Sequence, residues 1–104
     1  MARLIWTDPA LSDLNDIAEY IALSNFTAAK NCVQKIFDYA SNLKSFPFSG
    51  KVSPELIDSP YRELVVPPCR IFYSIEKKTI YILHIIRAEQ LLRKFLLEQR
   101  DREK

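Results

Sequence analysis

Residues Tyr61–Ile75, YRELVVPPCRIFYSI, decide how the rest of the chain is read. Tyr61 to Val66 and Cys69 to Glu76 are rich in β-branched and aromatic residues, which suit a pleated, half-buried surface. Pro67-Pro68 lies between them. Proline has no N–H for a central ladder, so the pair reads as a connection between two strands. A third run of the same composition, Thr79 to Arg87, follows Glu76-Lys77-Lys78-Thr79, which reads as a hairpin turn. Three such strands with short links predict an antiparallel meander. They also carry Arg62, Arg70 and Arg87, guanidinium groups on what reads as the body of a sheet.

Upstream, the period changes. Arg3 to Thr7 is short and β-prone, and Asp8-Pro9 then signals a helix start, with Asp8 as a cap and Pro9 in the first turn. Leu11, Leu14, Ile17, Ala18 and Ile21 recur at helical spacing, while Asp13, Asp16 and Glu19 fall on a solvated face. Ser24-Asn25 breaks this helix and caps the next, whose stripe is Ala29, Val33, Ile36, Phe37, Ala40 and Leu43. Phe46-Pro47 stops it. The short polar link predicts an antiparallel helical hairpin. Residues 47–60, PFSGKVSPELIDSP, read as a proline-marked loop.

The tail, 88–104, is helix-prone. Leu91, Leu92, Phe95 and Leu96 form an apolar stripe in its first half, and the charged end, EQRDREK, is expected to fray. The order β-α-α-β-β-β with a C-terminal helical tail predicts one α+β domain over 1–104. Its two-helix antiparallel hairpin packs on a twisted, mainly antiparallel sheet. The first strand joins that sheet as an edge, beside a strand that periodicity does not name.

Composition narrows the function. The chain has 104 residues, 48% hydrophobic and 27% charged, with a net charge of +2: an ordinary globular balance, only mildly basic. One glycine, Gly50, excludes glycine-rich phosphate loops. Cys32 and Cys69 form no CxxC pair, and His84 is the single histidine, so no metal site and no cofactor are expected. Two isolated thiols without a signal peptide fit a reducing cytoplasm, and no apolar run is long enough to cross a bilayer. His84, between Leu83 and Ile85, reads as a packed, hydrogen-bonded histidine. Trp6 reads as a core residue, and Glu55 and Glu63 as surface carboxylates.

Alternation along strands places Arg62 with Leu64 and Val66, and Arg87 with Tyr81, Leu83 and Ile85. The run Ile80 to Arg87 is apolar on both faces, as a central strand covered on both sides would be. The helical hairpin covers one face. The other is left to the chain's own tail, a partner protein, or nothing, and it is bordered by arginines whose planar fork matches phosphate or carboxylate.

A strand running into WTDPALSDLNDIAEYI, a helix ending near LKSFPFSG, and then YRELVV, RIFYSI and IYILHIIR together resemble the ParE/RelE superfamily of bacterial type II toxins, on the ParE side. The resemblance covers roughly residues 2–95 and rests on the order and spacing of these segments. It implies a toxin neutralised by a cognate antitoxin that wraps it and supplies cover for the spare face. Operator DNA would be contacted only through the antitoxin, and no membrane is involved. ParE-like members act on DNA gyrase; RelE-like members are ribosome-dependent endoribonucleases. Arg62 and Arg87 match arginine positions of the nuclease pattern, but its lysine cluster is reduced to Lys51 and no tyrosine follows Arg87. The resemblance thus favours a gyrase-binding toxin with no catalytic residue. Its candidate functional surface is Arg62, Arg70, Arg87 and Lys51. Its candidate antitoxin-binding or tail-packing surface is Leu83, Ile85, Leu91, Leu92, Phe95 and Leu96. The alternatives are a RelE-like ribonuclease and a non-toxic antitoxin-binding module of the same fold.

Overall fold

The computed structural model describes residues 1–104. Strand β1 (Arg3–Trp6) leads into helices α1 (Asp8–Ala22) and α2 (Phe26–Ser41), strands β2 (Tyr61–Val66), β3 (Cys69–Glu76) and β4 (Thr79–Arg87), and helix α3 (Lys94–Glu103). Single 3₁₀ turns lie at Asn42–Lys44 and Pro54–Leu56. The sheet order is β1-β4-β3-β2. The meander β2-β3-β4 is antiparallel, and β1 lies parallel to β4, Arg3 opposite Thr79 and Trp6 opposite Ile82.

The local signals act largely where the sequence places them, with small shifts. Thr7 rather than Asp8 caps α1: its Oγ1 accepts from Ala10 N–H and donates to Ile82 O at 2.6 Å. One hydroxyl thus ties the start of α1 to the central strand. Asn25 caps α2 by accepting from Ala28 N–H at 3.0 Å. The apolar stripes of the two helices, with Leu14, Ile17, Ile36, Ala40 and Leu43 buried, close over Val66, Ile71, Tyr73, Ile80, Ile82 and Ile85. Leu11 and Phe37 sit at the margin of this core, Phe37 tilted against Trp6 with ring centroids 4.8 Å apart.

Two features of β4 and the tail differ from the sequence reading. The first is a β-bulge. Phe72 pairs with His84 and Tyr73 with Ile82, so Leu83 is an extra residue that reverses the alternation. Arg87 therefore does not share a face with Tyr81 and Leu83. Tyr81, Leu83 and Ile86 face away from the helices, while Ile85 lies under them with Ile80 and Ile82. A strand apolar at nearly every position carries no parity signal to reveal this.

The second is the tail. The helix begins at Lys94, not Ala88, because residues after β4 are held in a turn. Ala88 N–H donates to Pro68 O at 2.8 Å, and Gln90 Oε1 accepts from Arg87 N–H at 2.8 Å. Leu91 is 88% and Phe95 63% exposed, while Leu92 and Leu96 are half-buried. The anchor is Leu97, fully buried among Leu56, Tyr61, Phe72, Leu83 and Ile86. The charged end expected to fray is helical and docked: Lys104 Nζ reaches Glu76 and Asp101, each at 2.6 Å. The chain's own α3 is thus the cover on the second face of the sheet.

Candidate functional site

The arginines singled out from sequence do not converge. Arg62, opposite Tyr73, projects toward the helix side at the end of the sheet that carries the β3–β4 turn. Its Nη1 donates to Gly50 O at 2.8 Å, and its guanidinium lies 5.1 Å from the centre of the exposed Phe48 ring. It has no carboxylate partner. Its ionisable neighbour is Tyr73, whose hydroxyl donates to Pro47 O at 2.8 Å and accepts from Gly50 N–H at 2.9 Å. Burial raises the Tyr73 pKa above its ordinary value against the pull of Gly50 N–H and Arg62. Lys51 is exposed beside it, its backbone bridged to Glu63.

Arg70 occupies the opposite face. Its Nε bonds the buried carboxylate of Glu63, its Nη2 pairs with Glu55 at 2.5 Å, and it stacks over Phe72. Two of its three guanidinium nitrogens are turned to carboxylates of its own chain. Glu63 is accordingly no surface carboxylate: it is 2% exposed. Arg87 ends β4 on the helix side, pairing with the exposed Glu89 at 2.8 Å and lying 4.1 Å over the Tyr20 ring. Leu83 and Ile85, grouped together by sequence, lie on opposite faces, one under α3 and the other under the hairpin.

A cluster that sequence reasoning missed lies beside Arg87. Asp13 is not on a solvated face. Its Oδ2 is 2.7 Å from His84 Nδ1 and 2.5 Å from Arg100 Nη1, and it accepts from Ile85 N–H at 3.0 Å. Burial opposes the charge on Asp13, yet the hydrogen bonds from His84, Arg100 and Ile85 outweigh it and leave the carboxyl below its ordinary range. Asp13, Tyr20, His84, Arg87 and Gln90 line a cleft of about 240 Å³ between α1 and the end of β4. The only sequence hint was position, one residue before the buried Leu14; Arg100 came from the segment expected to fray. Packed, hydrogen-bonded His84 is as the sequence suggested, and its partners come from both ends of the chain.

The comparisons agree with this architecture. The model of a family described as ParE toxin of type II toxin–antitoxin system, parDE, matches residues 4–92. A curated relative, Toxin RelE2 of Caulobacter vibrioides, is 33% identical over 92 residues, 88% of this chain and all of the relative. A solved structure, the chromosomal ParDE TA system from P. aeruginosa, superposes with a TM-score of 0.71 at 29% identity, covering 86% of this chain and 98% of that one. With a family model spanning most of its length, the chain belongs to the ParE toxin family of type II toxin–antitoxin systems.

Proposed function

We propose that this toxin blocks DNA replication by binding DNA gyrase, performs no bond chemistry of its own, and is neutralised by a cognate antitoxin. The observation that carries the reading is the surrounding of Arg62. Two-step proton transfer needs an accessible acid and base within hydrogen-bond reach. Arg62 has backbone carbonyls, Phe48 and the doubly bonded Tyr73 around it instead. The ParE family match supports the same reading. Arg62, Arg87 and Lys51 are the residues offered to a partner; Arg70 joins them only through whatever its two carboxylates leave free. The antitoxin takes the exposed Leu91 and Phe95, since Leu83 and Ile85 are already covered.

Two observations favour a second reading, a ribosome-dependent endoribonuclease: the Asp13–His84 pair lies in the same cleft as Arg87, and the Caulobacter relative carries a RelE name. Induction of the chain alone in bacteria, with pulse labelling of DNA and protein synthesis, separates the two. An early stop in DNA synthesis with filamentation is expected. An early stop in translation with cut mRNA overturns the gyrase reading for the nuclease, and unaffected growth with folded protein present leaves an antitoxin-binding module. The folded double variant Arg62→Ala/Arg87→Ala is expected to lose toxicity; full toxicity removes both residues from the mechanism.

A further inference from the structure

The net charge of +2 conceals a segregation of charge. Lys44, Lys77 and Lys78 line one cleft of about 340 Å³ together with Phe48, and no acidic side chain lines it. Phe48 continues the surface to Arg62, whose guanidinium lies over its ring, and Lys51 is exposed next to Gly50, which holds that arginine. None of Lys44, Lys51, Arg62, Lys77 and Lys78 is engaged in an ion pair. Of the acids adjacent to these cations in sequence, Glu63 is held by Arg70 and Glu76 by Lys104. Glu55 and Glu63 are held by Arg70, Asp13 by Arg100, Glu89 by Arg87 and Asp101 by Lys104.

Beside these cations two phenylalanines stand out of the loop that follows α2: Phe46 is 67% and Phe48 66% exposed. The loop is not loose. Tyr73 fixes it from beneath through Pro47 O and Gly50 N–H, so the rings are presented by a rigid base. Unpaired cations grouped around one cleft and exposed aromatic rings on a fixed support are the two elements that bind a nucleic-acid strand: charge for the phosphates, a ring face for a base.

We infer that this end of the sheet, Lys44, Lys77 and Lys78 with Phe48, Lys51 and Arg62, is a binding surface for single-stranded nucleic acid. The cleft takes the sugar–phosphate backbone and Phe48 stacks a splayed base. A duplex keeps its bases stacked on one another, so it meets the lysines but not the ring. The surface reads no base edge, and the binding is independent of sequence. It stands whether or not gyrase is the target, because it is read on the purified chain.

The test is fluorescence anisotropy with a labelled oligothymidylate, the matching oligouridylate and a mixed-sequence duplex, at ~50 to ~200 mM salt. The expected result is single-strand binding that weakens steeply with salt and exceeds duplex binding; the DNA and RNA arms show which sugar is preferred. Lys44→Glu/Lys77→Glu/Lys78→Glu is expected to lower affinity at least about tenfold and to flatten the log–log salt slope by ~2. Lys30→Glu/Arg93→Glu/Arg102→Glu, exposed cations elsewhere with the same change in net charge, is expected to lower it less than about threefold. Phe48→Ala is expected to cost the single strand about fivefold or more and the duplex nothing. All three sets change exposed or partly exposed side chains, and circular dichroism confirms the fold. No binding at the lowest salt, or equal losses in the two charge-reversed proteins, overturns the surface. Equal losses of strand and duplex in Phe48→Ala overturn the single-strand assignment.

Discussion

Arg100, in the last helix, grips Asp13, in the first, with two guanidinium nitrogens at 2.5 and 3.2 Å. A second bond from Arg100 Nη1 to Leu83 O, at 2.9 Å, ties the same pair to the bulge of β4. Both faces of the sheet are thereby joined around its edge by one carboxylate.

Removing that carboxylate's charge leaves Arg100 without its partner in a partly buried place. Asp13→Asn is expected to cost about 2 kcal/mol in urea unfolding, less than for a fully buried pair because the site keeps some water. The pH dependence fixes the sign. A carboxyl whose folded pKa lies below its ordinary 3.8 stabilises the fold above that value, and loses this as pH falls through the folded pKa. The gap between wild type and Asp13→Asn is therefore expected to be full at neutral pH and to close below pH ~4. A gap that stays constant in acid would show that the charge is not what stabilises.

Leu97 is the apolar anchor of α3. Leu97→Ala is expected to destabilise by about 2–4 kcal/mol, and hydrogen exchange is expected to show α3 opening well before β4. Leu91→Ala and Phe95→Ala, on exposed side chains, are expected to change stability by less than ~0.5 kcal/mol. Their effect is expected in antitoxin affinity instead, which calorimetry with the cognate antitoxin measures.

Arg70 and Arg62 are expected to part company. Arg70→Ala strands the buried Glu63 carboxylate and costs about 3 kcal/mol by chemical denaturation. Arg62→Ala frees only the bonds to Gly50 O and, more weakly, Phe48 O and a stacked ring, about 1 kcal/mol. Equal losses would place Arg62 among the structural residues.

Gly50 is required by close approach. A Cβ there would stand 2.5 Å from Tyr73 Oη and 2.9 Å from Glu63 O. Gly50→Ala is expected to destabilise by about 1–3 kcal/mol and to displace the loop bearing Phe48. Tyr73→Phe, which leaves Gly50 N–H and Pro47 O without their hydroxyl, is expected to cost about 1 kcal/mol.

Cys69 is fully buried, and burial, with Cys32 close by, pushes its pKa up to about 12. Site-resolved alkylation at pH ~8 is expected to leave Cys69 unmodified in the native protein and to label it once denaturant unfolds the chain. Rapid native labelling would contradict the packing of α2 on β3.

Much of this architecture is legible in the sequence because periodicity and punctuation are local. The stripes of α1 and α2, the Asn25 cap and the Pro67-Pro68 and Lys77-Lys78 turns all act where they stand. What escaped depends on distant parts of the chain. The bulge at Leu83 is hidden in a strand whose residues are nearly all apolar. Lys94–Glu103 buries a single residue, Leu97, so no apolar stripe announces its docking, and the charges that help hold it have partners on other elements. Asp13 looked solvated because its two side-chain partners arrive 71 and 87 residues later. The candidate arginines were each visible, but not that one faces away from the other two or that Arg70 is consumed by Glu55 and Glu63.

The parallel pairing of β1 with β4 bears on when this toxin comes into being. Thr7 reaches its partner Ile82 across 75 residues, and the sheet has no centre until β4 exists. Before β4 is made, the β2–β3 hairpin is all the sheet there is, and β1 has no strand to pair with. Such non-local closure makes folding slow compared with helical proteins of this size. Completion of the fold therefore waits on its last quarter: until β4 and α3 close, the apolar face of the helical hairpin is an open core rather than a finished surface.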